Sequence, residues 1–241
     1  MHYCAIKKND IANGPGVRIT LFVSGCDHHC KGCHNPQTWD PEAGQIFDDA
    51  AYEQIFKELS KDYVAGITIS GGDPLYAGNI RQIRPLLYLI RTNFPNKTIW
   101  LYTGYTWEQL WYDDKFDVEG GIVENQWRRA ITVMCDVVVD GEYKESFRDL
   151  SLAFRGSSNQ RLIDVAKTFS AEEVVLWVTE KGVLKRVIGS FVWLLWTILT
   201  VIVSVVISAI GGLICVAAAI FVSPAALIAS LIQFGDKKRS I

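Results

Sequence analysis

Four short β-rich, apolar segments alternate with helix-patterned ones, and each ends at a loop of small or polar residues. Val17–Ser24 stops at Gly25, Val64–Ser70 at Gly71-Gly72, Thr98–Tyr102 at Thr103-Gly104 and Val133–Val139 at Asp140-Gly141. Between them, Asp48–Lys61 carries Tyr52, Ile55, Phe56 and Leu59 at helical spacing, and Ile80–Thr92 puts Ile80, Ile83, Leu87 and Ile90 on one stripe. Val174–Val178 reads as a fifth strand. Strands that alternate with helices pair in parallel, because a crossover helix returns the chain to the same end of the sheet. The expected architecture is therefore α/β, a parallel sheet or partial (βα) barrel. Ligands of such folds sit outside the carboxyl ends of the strands, so four separate loops are expected to converge on one mouth.

The first of those loops holds the chemistry. It reads Ser24-Gly-Cys-Asp-His-His-Cys-Lys-Gly-Cys-His34, a C-x3-C-x2-C spacing formed by Cys26, Cys30 and Cys33. Met1 to Asp10 is polar and lacks the apolar core of a secretion signal, so a reducing compartment, the cytoplasm, is expected. Clustered thiols there are metal sites more often than disulfides. Three thiolates from one loop leave a [4Fe–4S] cluster with one iron that has no protein ligand. Such an iron can take the amino and carboxylate groups of an amino acid such as the methionine end of S-adenosylmethionine (SAM). A structural zinc held by the three cysteines and one of His28, His29 or His34 is the alternative, although only one C-x2-C pair is present. Cys4, Cys135 and Cys215 lie far apart and offer no second cluster; Cys135 falls in an apolar strand and reads as a small core residue. The net charge of −2 gives no basic field for nucleic acid.

Several motifs together resemble one family. Asn13-Gly-Pro-Gly-Val-Arg18, Leu21-Phe-Val-Ser-Gly-Cys26, Ser70-Gly-Gly-Asp-Pro-Leu75, Tyr102-Thr-Gly-Tyr105, Val139-Asp-Gly141 and Phe154-Arg-Gly-Ser-Ser-Asn-Gln160 are similar to those of the activating proteins of anaerobic ribonucleoside-triphosphate reductase, a branch of the radical SAM superfamily. The resemblance runs from Ile11 to Trp177. It implies an oxidoreductase that cleaves SAM reductively at a [4Fe–4S] cluster. The resulting 5′-deoxyadenosyl radical forms a glycyl radical on the large reductase subunit, with a flavodoxin or ferredoxin-type protein as electron donor. Carried over residue by residue, Cys26, Cys30 and Cys33 ligate the cluster, Gly32, Cys33 and His34 line the SAM site, and Gly72 approaches the methionine end. Asp73 belongs to the same loop, and Asp140, at the end of a strand, is a candidate for the SAM amino group. Arg18 reads either as a carboxylate ligand or as a surface cap, and Arg155 to Gln160 either as a partner contact or as a helix start capped by Ser157 or Ser158. An activase of another glycyl-radical enzyme, such as pyruvate formate-lyase, and a non-catalytic membrane-tethered zinc protein are the competing functions.

The chain divides at its far end. From Val187 to Phe234 there is no Asp, Glu, Lys, Arg or His. As one helix this stretch would reach about 72 Å, against a hydrocarbon core of about 30 Å. Two crossings, over about 188–210 and 213–234 with Gly211-Gly212 at the turn, are the expectation. Lys181, Lys185 and Arg186 on one side and Lys237, Lys238 and Arg239 on the other would keep both termini in the cytoplasm. The expected domains are thus a radical SAM unit over 1–182 and a membrane-anchoring hairpin over 183–241. This tail has no counterpart in the family pattern.

Overall fold

The computed structural model describes residues 1–112, 121–177 and 193–201. Met1–Trp177 forms one compact unit and Val178–Ile241 a second. The first unit is built on a seven-stranded mixed sheet. Its strands are β1 (His2–Asp10), β2 (Val17–Val23), β3 (Gln45–Ile46), β4 (Val64–Gly71), β5 (Thr98–Tyr102), β6 (Val137–Asp140) and β7 (Arg161–Asp164), in the spatial order β3-β1-β2-β4-β5-β6-β7. Its helices are α1 (Asp49–Leu59), α2 (Ala77–Asn93), α3 (Trp107–Trp111), α4 (Gly121–Val133) and α5 (Val165–Ala171).

The central run β2-β4-β5-β6 is parallel, with Leu21 opposite Ile69, Ile69 opposite Leu101 and Leu101 opposite Val138. All four of these side chains are fully buried. Strands covered on both faces read as near-continuous apolar runs, which is how β2 and β4 announce themselves in the sequence. α1 starts where the Asp48 carboxylate accepts the Ala51 amide at 3.1 Å, and it packs Ala51, Ile55 and Leu59 inward. The expected stripe Ile80, Ile83, Leu87 and Ile90 of α2 is buried, together with Leu86. α3 opens with a capping box between Thr106 and Gln109.

Several expectations are corrected. The parallel core is flanked by antiparallel strands on both sides: β1 and β3 at one edge, β7 at the other. β1 escapes the sequence pattern because Lys7-Lys8-Asn9-Asp10 is polar, as suits a strand near the edge with one exposed face. The strand expected from Val133 begins at Val137, because α4 runs on to Val133 and the Cys135 amide closes a turn on the Thr132 carbonyl. Cys135 is nevertheless buried, its Sγ 3.3 Å from the Ile131 carbonyl. Of the strand expected over Val174–Val178, only Leu176 pairs, in an isolated bridge to Ile163, and Val178 lies outside the described residues. The transmembrane hairpin is not supported: among the described residues no helix is long and apolar enough to cross a membrane. All of 188–210 but 193–201, all of 213–234 and the 182/183 boundary lie outside the described residues, as does Cys215.

Arg18 is a structural residue. It is fully buried, and its guanidinium reaches the Thr68 hydroxyl at 2.9 Å, the Thr98 hydroxyl at 2.7 Å and the Ile67 and Thr98 carbonyls at 2.7 and 3.0 Å. It stitches β2 to β4 and β5 beneath the sheet's functional end, and among the described residues no carboxylate forms an ion pair with it. Asp10 closes the same region: it accepts the Thr20 hydroxyl at 2.6 Å, the Ala12 amide at 2.9 Å and the Asn13 side chain at 2.5 Å. Burial pushes this carboxyl up, but those hydrogen bonds and the Lys7 charge outweigh it and bring the pKa down to about 2. A carboxyl depressed in the fold stabilises it fully above its unfolded pKa and loses that contribution as pH falls. Asp10 is therefore expected to supply on the order of 2 kcal/mol above about pH 4, vanishing toward about pH 2. Unfolding free energies measured between those values should be steeper in pH for the native chain than for Asp10→Asn; equal slopes would rule the assignment out.

Candidate iron–sulfur and cofactor site

The cysteine loop leaves the carboxyl end of β2 through Gly25 and is pinned at both ends by backbone bonds. The Gly25 amide donates to the Thr38 carbonyl at 2.8 Å and the Cys26 amide to the Trp39 carbonyl at 3.2 Å, which fastens the loop to the 3₁₀ turn Pro36–Thr38. From the next strand, the Asp73 amide donates to the Gly25 carbonyl at 2.8 Å. Gly72 sits so close beneath this loop that a Cβ would lie 2.4 Å from the Gly25 carbonyl oxygen. Only a residue without a side chain lets the two loops meet.

The three sulfurs line one cavity of about 350 Å³, together with His34, Trp39, Gly72, Tyr102, Gly141 and Arg155 among others. That size belongs to small-molecule and cofactor sites. Each sulfur is approached by backbone N–H groups. The His28 and His29 amides point at Cys26, the Tyr143 amide points at Cys30, and the Asn35 amide lies 3.4 Å from Cys33 Sγ. All three thiols are free and half-buried. Burial pushes the Cys26 thiol up to about 11, opposed by the two amides, and burial likewise raises Cys30. A bare thiolate is disfavoured here, and a bound cation would supply the charge that favours it. Amides aimed at ligand sulfurs suit an iron–sulfur cluster, whose potential such hydrogen bonds adjust. Among the described residues no group of three or more His, Cys, Asp or Glu gathers around a point suited to a single metal ion.

The histidines are occupied by neighbours. His28 Nε2 is 2.8 Å from Asp73 Oδ2 and its Nδ1 is 3.2 Å from Glu142 Oε1. Its ring stands edge-on to Tyr105 at 4.7 Å. His29 packs against Trp39, and His34 against Tyr143. His28, Asp73 and Glu142 thus join loops from three strands. Asp73 is the hub: its Oδ2 also accepts the Thr103 hydroxyl at 3.0 Å and the Gly104 amide at 2.9 Å, while Oδ1 accepts the Leu75 amide at 2.8 Å.

The structure brings Cys26, Cys30, Cys33, His34, Gly72 and Asp73 to one cavity wall. It sets two predicted residues apart. Gly32 faces Glu145, and a Cβ there would lie 2.4 Å from the Glu145 carboxylate. Asp140 is buried, bonded to the Trp107 amide at 2.8 Å and to Arg161 Nε at 3.1 Å, and does not line the cavity. Arg155 to Gln160 is not a helix start. Gln160 folds back so that its Oε1 accepts the Gly156 and Ser157 amides at 3.1 and 3.2 Å, shaping the turn that leads into β7. Sequence reasoning missed Glu142 and Tyr143, although they directly follow Asp140-Gly141 at a strand end, the position that had drawn attention to its neighbours.

Three free thiols on one cavity at the carboxyl ends of a parallel core suit an iron–sulfur protein, and comparison with known proteins agrees. Residues 12–163 match the model of the 4Fe-4S single cluster domain family. Curated relatives include the anaerobic ribonucleoside-triphosphate reductase-activating proteins of Escherichia coli strain K12, 40% identical over 66% of this chain and 96% of that protein, and of Enterobacteria phage T4, 39% identical over 67% and 93%. The protein of the same name from Haemophilus influenzae is 38% identical over 66% and 96%. The chain belongs to this family of 4Fe–4S activating proteins.

Proposed function

We propose that the chain activates an anaerobic ribonucleoside-triphosphate reductase, as its relatives are named for doing, and that SAM is the small molecule its cavity takes. The observation that carries this reading is the placement of Cys26, Cys30 and Cys33 on one wall of a cavity at the carboxyl ends of the parallel strands, each sulfur facing backbone amides. A bound, reduced cluster would supply the electron for reductive cleavage of SAM, and the 5′-deoxyadenosyl radical so made would take a hydrogen atom from a glycine of the reductase. The protein's own part is to bind, orient and exclude water. Cys26, Cys30 and Cys33 would hold three irons of the cluster. Gly72 lets its loop pass against the Gly25 and Thr38 carbonyls beside the cysteines, and His34 on Tyr143 forms the neighbouring wall. Asp73 acts through His28, Thr103 and Gly104, holding the loops in register, and Asp140 fixes the start of α3. A flavodoxin or ferredoxin-type protein is the proposed electron donor, and the cytoplasm the compartment that keeps the thiols reduced.

Electron paramagnetic resonance of the anaerobically reconstituted, dithionite-reduced protein tests this. The cluster signal should change on adding SAM, and a glycyl-radical doublet should appear when the large reductase subunit is included. A spectrum indifferent to SAM would overturn the reading. A doublet with pyruvate formate-lyase and none with the reductase would reassign the partner.

A further inference from the structure

Between β6 and β7 the chain folds back on itself over Phe147–Ser158, and the tip of this hairpin is apolar and uncovered. Its arms are joined by the Arg148–Ser157 bridge, by the Asp149 amide on the Gly156 carbonyl at 3.2 Å and by the Ser158 amide on the Phe147 carbonyl at 2.8 Å. Two anchors hold it to the sheet. The Tyr102 hydroxyl donates to the Phe154 carbonyl at 2.6 Å, and the Phe154 ring stands edge-on to buried Trp100 at 5.5 Å. The Asp149 carboxylate fixes the bend by accepting the Ser151 amide and hydroxyl at 2.8 and 2.7 Å. The tip so braced reads Leu150-Ser-Leu-Ala153, without a charge. Leu150 is 81% exposed, more than any other large apolar side chain among the described residues.

Leu150 and Leu152 both line the cavity that holds the cysteines. Ala12 and Asn13 of the β1–β2 loop line it too, and their neighbour Ile11 is 72% exposed. A single exposed leucine is ordinary, but two loops that each present an aliphatic side chain beside one cavity mark a contact with another molecule. Among the described residues no carbonyl from Leu150 to Ala153 accepts a hydrogen bond, so the tip offers backbone acceptors beside its leucines. Uncharged apolar contacts with free backbone groups suit an extended polypeptide, not an anion. Resting on the activase reading above, we propose that Leu150, with Ile11 beside the same cavity, is the docking rim for the segment of the reductase that carries the reacting glycine. A glycine has no side chain to grip, so the hold on it must come from its neighbours in that segment. The rim is where those neighbours pass, and its bracing means that little ordering is left to be done on binding.

The test uses full-length reconstituted protein with the large reductase subunit. Leu150→Asp should weaken binding of that subunit about tenfold or more, the effect of setting an unpaired charge in an apolar contact, as read by sedimentation velocity. The glycyl-radical signal should then need more reductase to reach half its maximum, while its rate at saturating reductase stays near native. Ile11→Asp should move the same curve in the same direction. Leu150→Met, which keeps the apolar contact, should behave as the native chain. Iron content and melting temperature should not move, because both side chains lie in solvent. Native affinity for the reductase in both aspartate variants would overturn the proposal. So would a loss seen in the response of the cluster signal to SAM instead of in reductase affinity, or a change confined to self-association of the chain. A native protein that neither binds the reductase nor raises a glycyl radical would instead remove the activase reading beneath it.

Discussion

Replacing Cys30 with alanine is expected to leave a folded protein that retains little iron and produces no 5′-deoxyadenosine from SAM. The cysteine loop lies outside the buried core; alanine keeps the Cys33 amide on the residue-30 carbonyl at 3.1 Å and gives up the sulfur's contact with the Tyr143 amide. The sulfur is a different matter. With two thiolates left, the loop cannot hold three irons of a cluster, and water or exogenous ligands would take the vacated corner. Circular dichroism and melting temperature should match the native chain within about 0.5 kcal/mol, the range of a surface substitution. Iron and acid-labile sulfide should fall severalfold after anaerobic reconstitution. A variant with full cluster content and normal 5′-deoxyadenosine yield would contradict the ligand assignment.

Asp73→Ala is expected to damage fold and site together. The carboxylate is 1% exposed and receives donors from His28, Thr103, Gly104 and Leu75. Alanine leaves several of these without an acceptor in a place water does not readily reach. Each stranded donor costs about 1–3 kcal/mol, so a loss of roughly 3 kcal/mol is the minimum expected. For a domain of this size that lowers the melting temperature by about 6–12 °C. Because His28 lies within the cysteine loop, between Cys26 and Cys30, iron retention at a permissive temperature should fall too. Asp73→Asn keeps the shape but has one acceptor oxygen in place of two, so it can serve either the Leu75 amide or the Thr103 and Gly104 donors; it should be milder than alanine. Calorimetry beside iron analysis separates the two effects; an alanine variant with native melting temperature would show that the carboxylate is not the hub described.

The parallel core and the cysteine site were legible in the chain before any coordinates. Val64–Gly71 and Thr98–Tyr102 are buried on both faces, so their composition alone marks them. The cysteine spacing is local, and local spacing survives any error in topology. What was not legible depended on long-range pairing. β1 carries only Tyr3 and Asp10 as buried residues, so no apolar run signals it, and β7 is four residues whose role as an edge comes from pairing with β6. Asp73 was picked out for its motif, but its bond to His28 spans 45 positions and those to Thr103 and Gly104 span 30 and 31, which no spacing rule reaches. Arg18 misled in the opposite sense: a charged residue before an apolar run suggests a surface, whereas four side-chain and carbonyl oxygens make burial tolerable. The uncharged far end drew a reading from composition that the described helix does not support.

The antiparallel flanks set who can be served at the mouth. Because β7 turns back against β6 and β1 against β2, the βα repetition stops after four strands instead of continuing into a ring. A complete ring would accept only what drops in from above. A row with two ends is not closed into a ring, and on the activase reading proposed above that leaves a reacting residue embedded in another folded polypeptide a way to the cavity without being unthreaded.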